Sequence, residues 1–393
     1  MAALDFQLEE DFEPGDLSPR EMFWSDHYAF LKKHGYQLRD RYNPDRLLSW
    51  KKQKGVAKRF TEFEDGQYSR VSLFIFQQRI VDRVTNGKHG QILDATRDDG
   101  TLVVLKDVSI DNKEHEIQIG KYFSSEALAR HSKNHCVPFL DVIDPPEGSQ
   151  TAFIVMPYLL ETNYPSFQTI GEVVDYFRQI FEGLQFMHEN NIVHGDCKTD
   201  NFMAGTISLF NVPPHPARRF MRLDYRGRVS VSSSRTKKPV KYYLIDFDLS
   251  GVYRPEDAPH LRRPPWGGDK SVPEFLLSDA SPCDPFAVDV YCVGNSIRQD
   301  YLDGRGVFGK AKKGFEFMRE LVNDMTNSDP GKRPSMTDVV SRFEDIVKGL
   351  DDKQLRSPVL NIDENMGITR KIKHWIIQWA YRVRGIPAIP MIS

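Results

Sequence analysis

The spacing of hydrophobic residues changes along the chain, from a strand-like pattern to a helical one. In the first part, apolar residues come in short β-branched and aromatic runs such as TLVVLKDVSI (101–110), which are typical of β-strands. Asp99-Gly100 precedes this run and predicts a tight hairpin turn. Beyond Pro165 the spacing becomes helical, most clearly in GEVVDYFRQIFEGLQFMHEN (171–190). A sheet followed by helices predicts an α+β fold with a small antiparallel N-terminal lobe, a mainly helical C-terminal lobe and a cleft between them.

Both ends of the chain carry helical patterns of their own. Ser18-Pro19-Arg20-Glu21 combines an N-cap, a proline at the first helical position and a capping-box glutamate, and Gly35 ends the run that follows. Near the C-terminus, KIKHWIIQWAYRV (371–383) places Trp375 and Trp379 four residues apart on an amphipathic helix. We expect this tail helix to pack on the core, with a membrane or partner site as the alternative.

These patterns give a domain organisation. We expect an N-terminal extension with one helix over residues 1–70, the sheet lobe over 71–160, the helical lobe over 161–350 and a tail over 351–393. A segment rich in Pro, Arg and Ser, about 206–241, is interpreted as a long loop inserted into the helical lobe.

Composition narrows the class of protein. Hydrophobic residues make up 40% and charged residues 27% of the chain, and the formal net charge of -2 gives no reason to expect a nucleic-acid partner. Four scattered cysteines form no CxxC pair, which favours a reducing intracellular compartment, the cytoplasm with the nucleus left open. The acidic N-terminus lacks a secretion signal, and no apolar run is long enough for membrane insertion.

One polar loop carries the candidate chemistry. The stretch VHGDCKTDNFM (193–203) follows the long helix, and a buried strand further along ends at Asp246. Oxygen ligands are what Mg²⁺ requires, so Asn201 and Asp246 are the candidate metal ligands. Asp196 is then the candidate acceptor of a proton from an incoming hydroxyl.

These residues resemble the signature motifs of eukaryotic protein kinases. His194-Gly195-Asp196 through Asn201 is similar to H-R-D-x-x-x-x-N, and Asp246-Phe247-Asp248 is similar to D-F-G. The resemblance implies that ATP and Mg²⁺ are cofactors and that the substrate is a protein, with Ser/Thr as the expected acceptor and the particular substrate unidentified. It also implies that Asp196, Lys198 and Asn201 are catalytic.

The resemblance implies further nucleotide contacts in the first lobe. Thr85 to Ile92 is similar to the glycine-rich loop, so Gly87, Gly90 and Ile92 are expected to cover the phosphates and the base. The strand lysine is then Lys106, held by Glu116, with Glu114 as the alternative carboxylate. The remaining expected nucleotide contacts are Met156 at the gatekeeper position and Leu159 in the hinge.

Later motifs appear in the order that the family uses. Val272-Pro273-Glu274, the D-V-x-x-x-G that begins at Asp289 and the D-P-x-x-R-P that contains Arg333 resemble the motifs that close the kinase fold. The resemblance implies a buried ion pair between Arg333 and Glu274, and it spans residues 80 to 348. Segments in both flanks look like a fungal, mainly basidiomycete, group of protein-kinase-like proteins.

Two departures keep other functions open. Gly195 stands where many regulated kinases have an arginine that grips a phosphorylated loop, and Asp248 replaces the glycine after Phe247. Asp248 is expected either to strain the motif or to add negative charge beside ATP. A catalytically weak or inactive pseudokinase scaffold is therefore one alternative. A small-molecule kinase of the aminoglycoside or choline type is the other, although such enzymes lack the later motifs.

Overall fold

The chain divides into two compact units. The computed structural model describes residues 15–48, 92–265, 267–276 and 281–392. The sheet unit comprises Met1–Asn112, Phe139–Tyr158 and Phe210–Ser230. The helical unit comprises Lys113–Pro138, Leu159–Leu209 and Val231–Ser393. The strand candidates before residue 92, with Gly87 and Gly90, lie outside the described residues.

The sheet unit is built on an antiparallel sheet with the strand order β1-β2-β3-β5-β4. Its strands are β1 (Tyr36–Leu38), β2 (Ile92–Arg97), β3 (Leu102–Ser109), β4 (Asp141–Ile143) and β5 (Thr151–Pro157). The hairpin predicted at Asp99-Gly100 joins β2 to β3, and Gly100 has a φ of 82° there. Glycine suits this position because the tight hairpin turn requires a left-handed backbone conformation there.

The N-terminal extension forms two helices, α1 (Pro19–Asp26) and α2 (Tyr28–Lys33), where a single helix was expected. The predicted capping box at Ser18 is present in full. The break falls at His27, whose Nδ1 lies 2.8 Å from the carbonyl oxygen of Phe23. The imidazole Nδ1 and the backbone N–H of His27 thus both contact the carbonyl oxygen of Phe23. The helix restarts one residue later.

These helices cover one face of the sheet. Trp24, Tyr28 and Leu31 are buried in one hydrophobic cluster with sheet residues that include Leu105 and Phe153. Beneath them, Arg41 Nε lies 2.6 Å from Glu21 Oε1, and both side chains are nearly inaccessible to solvent. The extension is therefore part of the core of the sheet unit.

The predicted inserted loop differs from the structure in two ways. Part of it forms a hairpin of β9 (Pro214–His215) and β10 (Arg218–Arg222), and residues 210–230 belong to the sheet unit instead of the helical lobe. The physical reason is that this segment buries a few side chains, and its sequence shows no hydrophobic pattern that would predict this burial. His215 is buried against the ring of Tyr225, and burial lowers its pKa to about 3, so this histidine is neutral.

The helical unit surrounds one long buried helix. Helix α3 (Ile110–Phe123) begins in the sheet unit and continues into the helical unit. The other helices of the helical unit are α4 (Ile170–Glu189), α5 (Pro285–Ile297), α6 (Arg319–Met325), α7 (Met336–Lys348), α8 (Asp352–Leu355) and α9 (Ile368–Val383). Its short strands are β6 (Leu160–Glu161), β7 (Ile192–Val193), β8 (Phe202–Ala204), β11 (Tyr242–Leu244) and β12 (Gly251–Val252). They form the sheets β11-β8-β6 and β12-β7, which hold the polar loop between β7 and β8.

The tail helix α9 attaches to the helical unit through polar groups. His374 Nε2 lies 2.8 Å from the carbonyl oxygen of Arg356, and the Tyr381 hydroxyl lies 3.1 Å from Ser234 Oγ. None of the helices in the described residues combines the length and apolarity needed to cross a membrane.

Asp175, buried in α4, makes stability depend on pH. Gln179 Nε2 donates to its carboxylate at 3.0 Å, yet burial raises the pKa of Asp175 to about 7. An unfolded aspartate has a pKa of about 3.9, so between about pH 4 and pH 7 the folded state binds more protons. The free energy of unfolding therefore falls as pH rises through this window.

We expect Asp175→Asn to remove this dependence and to raise the free energy of unfolding at pH 8 by about 2 kcal/mol. Urea denaturation at pH 5 and pH 8 measures both effects. Asp345→Asn is the control, because Asp345 is 72% exposed. An unchanged pH dependence in the Asp175 variant would contradict the assignment.

Candidate functional site

The loop between β7 and β8 brings the three predicted catalytic side chains together. Asp196 is 2% exposed, and its Oδ2 accepts a hydrogen bond from Asn201 Nδ2 at 2.8 Å. Lys198 Nζ lies 2.9 Å from the same oxygen. Asn201 Nδ2 also donates to the backbone carbonyl of Asp196 at 2.9 Å, which fixes the orientation of the amide.

A buried carboxylate on α5 holds the start of this loop. Asp289 is fully buried and accepts hydrogen bonds from the backbone N–H groups of His194 at 2.7 Å and Gly195 at 2.8 Å. The His194 ring lies 3.1 Å from the carbonyl oxygen of Ile245, and Ser250 Oγ donates to the His194 carbonyl. His194 and Asp289 therefore position the loop backbone.

Asp246 is placed beside Asn201 by strand pairing. Leu244 of β11 pairs with Phe202 of β8, and the next N–H, that of Ile245, donates to the Asn201 carbonyl at 3.0 Å. Asp246 then adopts a left-handed backbone with a φ of 68° and a ψ of 76°. Such a conformation is uncommon outside glycine and collects at functional sites.

The side chains present fit a divalent cation. Because Asn201 Nδ2 faces Asp196, its Oδ1 is the atom suited to a hard cation, and Asp246 follows in the adjacent strand. In the described part of the chain, no group of three or more His, Cys, Asp or Glu residues has metal-binding geometry. A site with one amide and one carboxylate matches Mg²⁺, which retains water and phosphate oxygens.

Aromatic rings connect the metal motif to its surroundings. The Phe247 ring lies 5.9 Å from the His194 ring and 6.4 Å from the ring of Phe123 on α3. Glu116, 3% exposed, lies on the same buried face of α3 as Ile119 and Phe123. The Glu114 side chain lies outside the described residues, so the choice between Glu116 and Glu114 stays a prediction.

Gly195 is required by the local geometry. Its φ is 78°, and a Cβ at this position would lie 2.2 Å from the carbonyl oxygen of Leu249. Arg262 donates to the same carbonyl at 2.5 Å, with its guanidinium 3.2 Å from the place that the Cβ would take. The position that carries arginine in many kinases is thus closed to any side chain.

We expect Gly195→Ala to lower the free energy of unfolding by about 2–3 kcal/mol, because it combines an unfavourable φ with a backbone clash. Gly309→Ala is the matched control: Gly309 also has a φ of 78° but nothing within 4 Å of its Cβ position. The control should lose about 1 kcal/mol. Equal losses in chemical denaturation would show that the clash with Leu249 carries no cost.

The backbone at Asp248 is not left-handed. Among the described residues, Asp246 has a positive φ, whereas Asp248 lies within the 3-10 turn Phe247–Leu249 with a negative one. The left-handed residue of the motif is therefore Asp246 and not Asp248, and whether Asp248 strains the motif stays a prediction. The other expected effect, added negative charge beside ATP, also stays a prediction.

A glycine that sequence reasoning passed over, Gly268, lies against the loop between β7 and β8. A Cβ at Gly268 would lie 3.5 Å from the Gly195 carbonyl oxygen and 3.8 Å from Asp196 Oδ1. The following Asp269 is anchored by Asn295 Nδ2 at 2.5 Å. The dipeptide Gly267-Gly268 just before Asp269 was the available signal, because close backbone approach favours glycine.

The sheet unit places three predicted nucleotide-binding residues on one face. Lys106 on β3 pairs with Ile92 on β2 and Ile154 on β5, while Met156 pairs with Val104. Directly opposed residues, and residues two apart, share a face of a sheet, so Ile92, Lys106 and Met156 project to the same side. This is the face opposite the one that the N-terminal helices cover. Leu159 belongs to the helical unit and is buried.

Cys197, in the middle of the catalytic loop, is fully buried. Burial raises the pKa of its thiol well above the ordinary value, with a smaller contribution from Asp289. A neutral, inaccessible thiol is a poor nucleophile, so Cys197 is not a candidate for nucleophilic chemistry in this loop.

Comparisons with known proteins agree with this geometry. Residues 79–213 match the family model described as "Protein kinase domain", a span that includes Lys106, Asp196 and Asn201. The chain is 21% identical over 358 residues to the serine/threonine-protein kinase ssp1 of Schizosaccharomyces pombe, covering 86% of this chain and 47% of that protein. It is 24% identical over 237 residues to the serine/threonine-protein kinase AFC2 of Arabidopsis thaliana, covering 57% of this chain and 53% of that protein. The chain thus spans about half the length of these curated relatives, and the predicted resemblance to protein kinases is confirmed as a domain match.

Proposed function

We propose that this protein is an ATP-dependent protein kinase that transfers the γ-phosphate to protein hydroxyls, with Ser/Thr preferred over Tyr. The observation that carries the proposal is the cluster in which Asn201 and Lys198 both contact Asp196 Oδ2, with Asp246 held beside Asn201. The Ser/Thr preference is supported by Lys198 in that cluster and by the names of the two relatives.

Each residue of the catalytic loop has a proposed role. Asp196 orients the acceptor hydroxyl and takes its proton, and its contact with Asn201 Nδ2 keeps it in place. Asn201 and Asp246 would hold Mg²⁺. When bound, Mg·ATP supplies the transferable phosphoryl group and neutralises its oxygens. Lys198 adds positive charge where negative charge develops on the phosphoryl oxygens.

The sheet unit would bind the nucleotide. Lys106 orients the α- and β-phosphates in this proposal, with Glu116 as its expected carboxylate partner. Ile92 and Met156 contribute apolar surface for the base from the same face of the sheet. Gly87, Gly90 and Leu159 complete the proposed nucleotide contacts. Positioning and charge neutralisation, not covalent catalysis, would then supply the rate enhancement.

A pseudokinase scaffold is the second candidate, and Asp248 favours it. A third carboxylate near the phosphates adds unfavourable charge that a glycine at that position would not. Gly195 does not support this alternative, because the Leu249 carbonyl, held by Arg262, leaves no room for a side chain at that position. We also propose membership of the fungal, mainly basidiomycete, group that the flanking segments resemble.

Two measurements on the purified protein separate the candidates. Thermal unfolding with and without Mg·ATP reports nucleotide binding, and transfer of labelled γ-phosphate to generic protein acceptors, sugars and amino alcohols reports activity. We expect stabilisation by several degrees together with transfer to protein. Stabilisation without transfer would establish the scaffold, and transfer to small molecules instead of protein would establish a small-molecule kinase.

A further inference from the structure

Helix α9 presents an apolar stripe to solvent. The stripe consists of five exposed side chains: Ile368 (78% exposed), Ile372 (55%), Ile376 (61%), Trp379 (67%) and Val383 (65%). At 3.6 residues per turn they fall within an arc of about 80° along the whole helix. Exposed apolar side chains on protein surfaces are usually scattered singly. A contiguous line of five is therefore unusual.

The opposite side of α9 is already occupied. His374 and Tyr381 make the hydrogen bonds to Arg356 and Ser234, and Gln378 is 2% exposed. His374 and Tyr381 lie about 160–180° around the helix from the centre of the stripe, and Gln378 lies about 120° from it. The stripe is therefore held outward by the fold and is not the side that packs on the helical unit, so the expected docking of the tail leaves the apolar side open.

Positive charge borders the stripe on both sides. Residues 368–384 contain five Lys or Arg residues and no Asp or Glu. By helical position, Lys371 and Arg382 lie along one edge of the stripe, and Lys373 and Arg384 lie along the other. Arg382 Nε lies 3.4 Å from Asp352 Oδ2 on α8, so part of its charge is already neutralised within the chain. Lys371 on one edge and Lys373 and Arg384 on the other leave both sides of the stripe positive, so a negatively charged surface with an apolar layer would complement it.

We propose that this stripe seats the protein on an anionic lipid surface, with α9 lying in the plane of the headgroups. An apolar line with tryptophan and basic flanks is the pattern of interfacial helices. A second copy of the chain would bring identical positive edges against these, which like-charge repulsion disfavours. A groove on another protein encloses much of the circumference of a bound helix. Because one side of α9 is already attached to the helical unit, only the stripe and its edges are accessible.

The test is co-sedimentation of the full chain with vesicles. Phosphatidylcholine vesicles with about a third phosphatidylserine should pull down the protein, pure phosphatidylcholine vesicles should not, and raised salt should release it. Lys371→Gln with Lys373→Gln should weaken binding about thirtyfold, which is about fivefold for each charge. Ile372→Asn with Ile376→Asn should weaken it by more than about tenfold.

Matched variants and a solution measurement complete the test. Lys332→Gln with Lys348→Gln changes two lysines that are 71% and 72% exposed elsewhere on the helical unit, and it should bind vesicles like the wild type. Because every altered side chain is exposed, all variants should keep the wild-type melting temperature. Absence of vesicle binding at low salt overturns the proposal. So does a stripe-dependent dimer in light scattering without vesicle binding, which would assign the stripe to a second copy.

Discussion

Asp196→Asn should lower the rate of phosphate transfer about 10²- to 10⁴-fold while leaving the affinity for Mg·ATP within about twofold. The reason is geometric. An amide oxygen at this position still accepts the 2.8 Å hydrogen bond from Asn201, so the loop keeps its shape. The amide no longer takes a proton from the acceptor hydroxyl. Transfer kinetics with a protein acceptor and equilibrium nucleotide binding measure the two quantities separately.

The control for this variant is Asp345→Asn, which makes the same change on an exposed side chain of α7 and should leave both quantities unchanged. Equal transfer rates for wild type and Asp196→Asn would remove Asp196 from the mechanism. Loss of nucleotide binding in parallel with transfer would instead mean that Asp196 shapes the site and does no proton chemistry.

Arg333→Met should lower the free energy of unfolding by about 3–5 kcal/mol, because it leaves the Glu274 carboxylate buried without its cation. The Arg333 side chain is 0% exposed and binds Glu274 through two hydrogen bonds of 2.8 and 2.6 Å. Its Nε also donates to the Asn327 carbonyl, and the guanidinium lies 4.9 Å from the centre of the Tyr291 ring. Urea or guanidinium denaturation gives the difference directly.

An exposed ion pair on the same unit is the matched control. Arg319 lies 2.6 Å from Glu316, but the two side chains are 41% and 73% exposed. Arg319→Met should therefore cost less than about 1 kcal/mol. In the double variant Arg333→Met with Glu274→Leu, most of the lost stability should return, because no buried charge is left. Equal costs for Arg333 and Arg319 would contradict the role of burial.

The sequence predicted those parts of the fold that depend on local chemistry. The capping box at Ser18, the hairpin at Asp99-Gly100 and the long helix near residues 171–190 all form where their patterns place them. The ion pair between Arg333 and Glu274, implied by resemblance, is present. Each of these features is set by neighbours in sequence or by motifs with a fixed order.

Other features depend on surfaces that meet only in the folded chain. The pattern of Trp24 and Leu31 predicts a helix with an apolar side, but not that this side covers Phe153 and Leu105 of the sheet. The basic segment near His215 was interpreted as a loop, whereas in the structure His215 is buried beside the partly buried ring of Tyr225. Strands as short as Pro214–His215 leave no hydrophobic period for sequence reasoning to detect.

The candidate site shows the same division. Asp196, Lys198 and Asn201 lie within six residues of chain, so their meeting follows from one loop. The reason for Gly195 was not visible, because it depends on the Leu249 carbonyl and on Arg262 from a later segment. The sequence presented Gly195 as the loss of an arginine. The structure shows a position where a side chain has no room.

The proposed kinase activity requires that Lys106 and Lys198 each reach the phosphates of bound ATP. An acyl-phosphate derivative of ATP tests it most directly, because it transfers its acyl group to lysine amines within reach of the nucleotide phosphates. Mass spectrometry of the labelled protein should find the acyl group on Lys106 and Lys198, and excess Mg·ATP should suppress both sites. Labelling spread over exposed lysines such as Lys332 and Lys348, with no protection by ATP, would contradict the account.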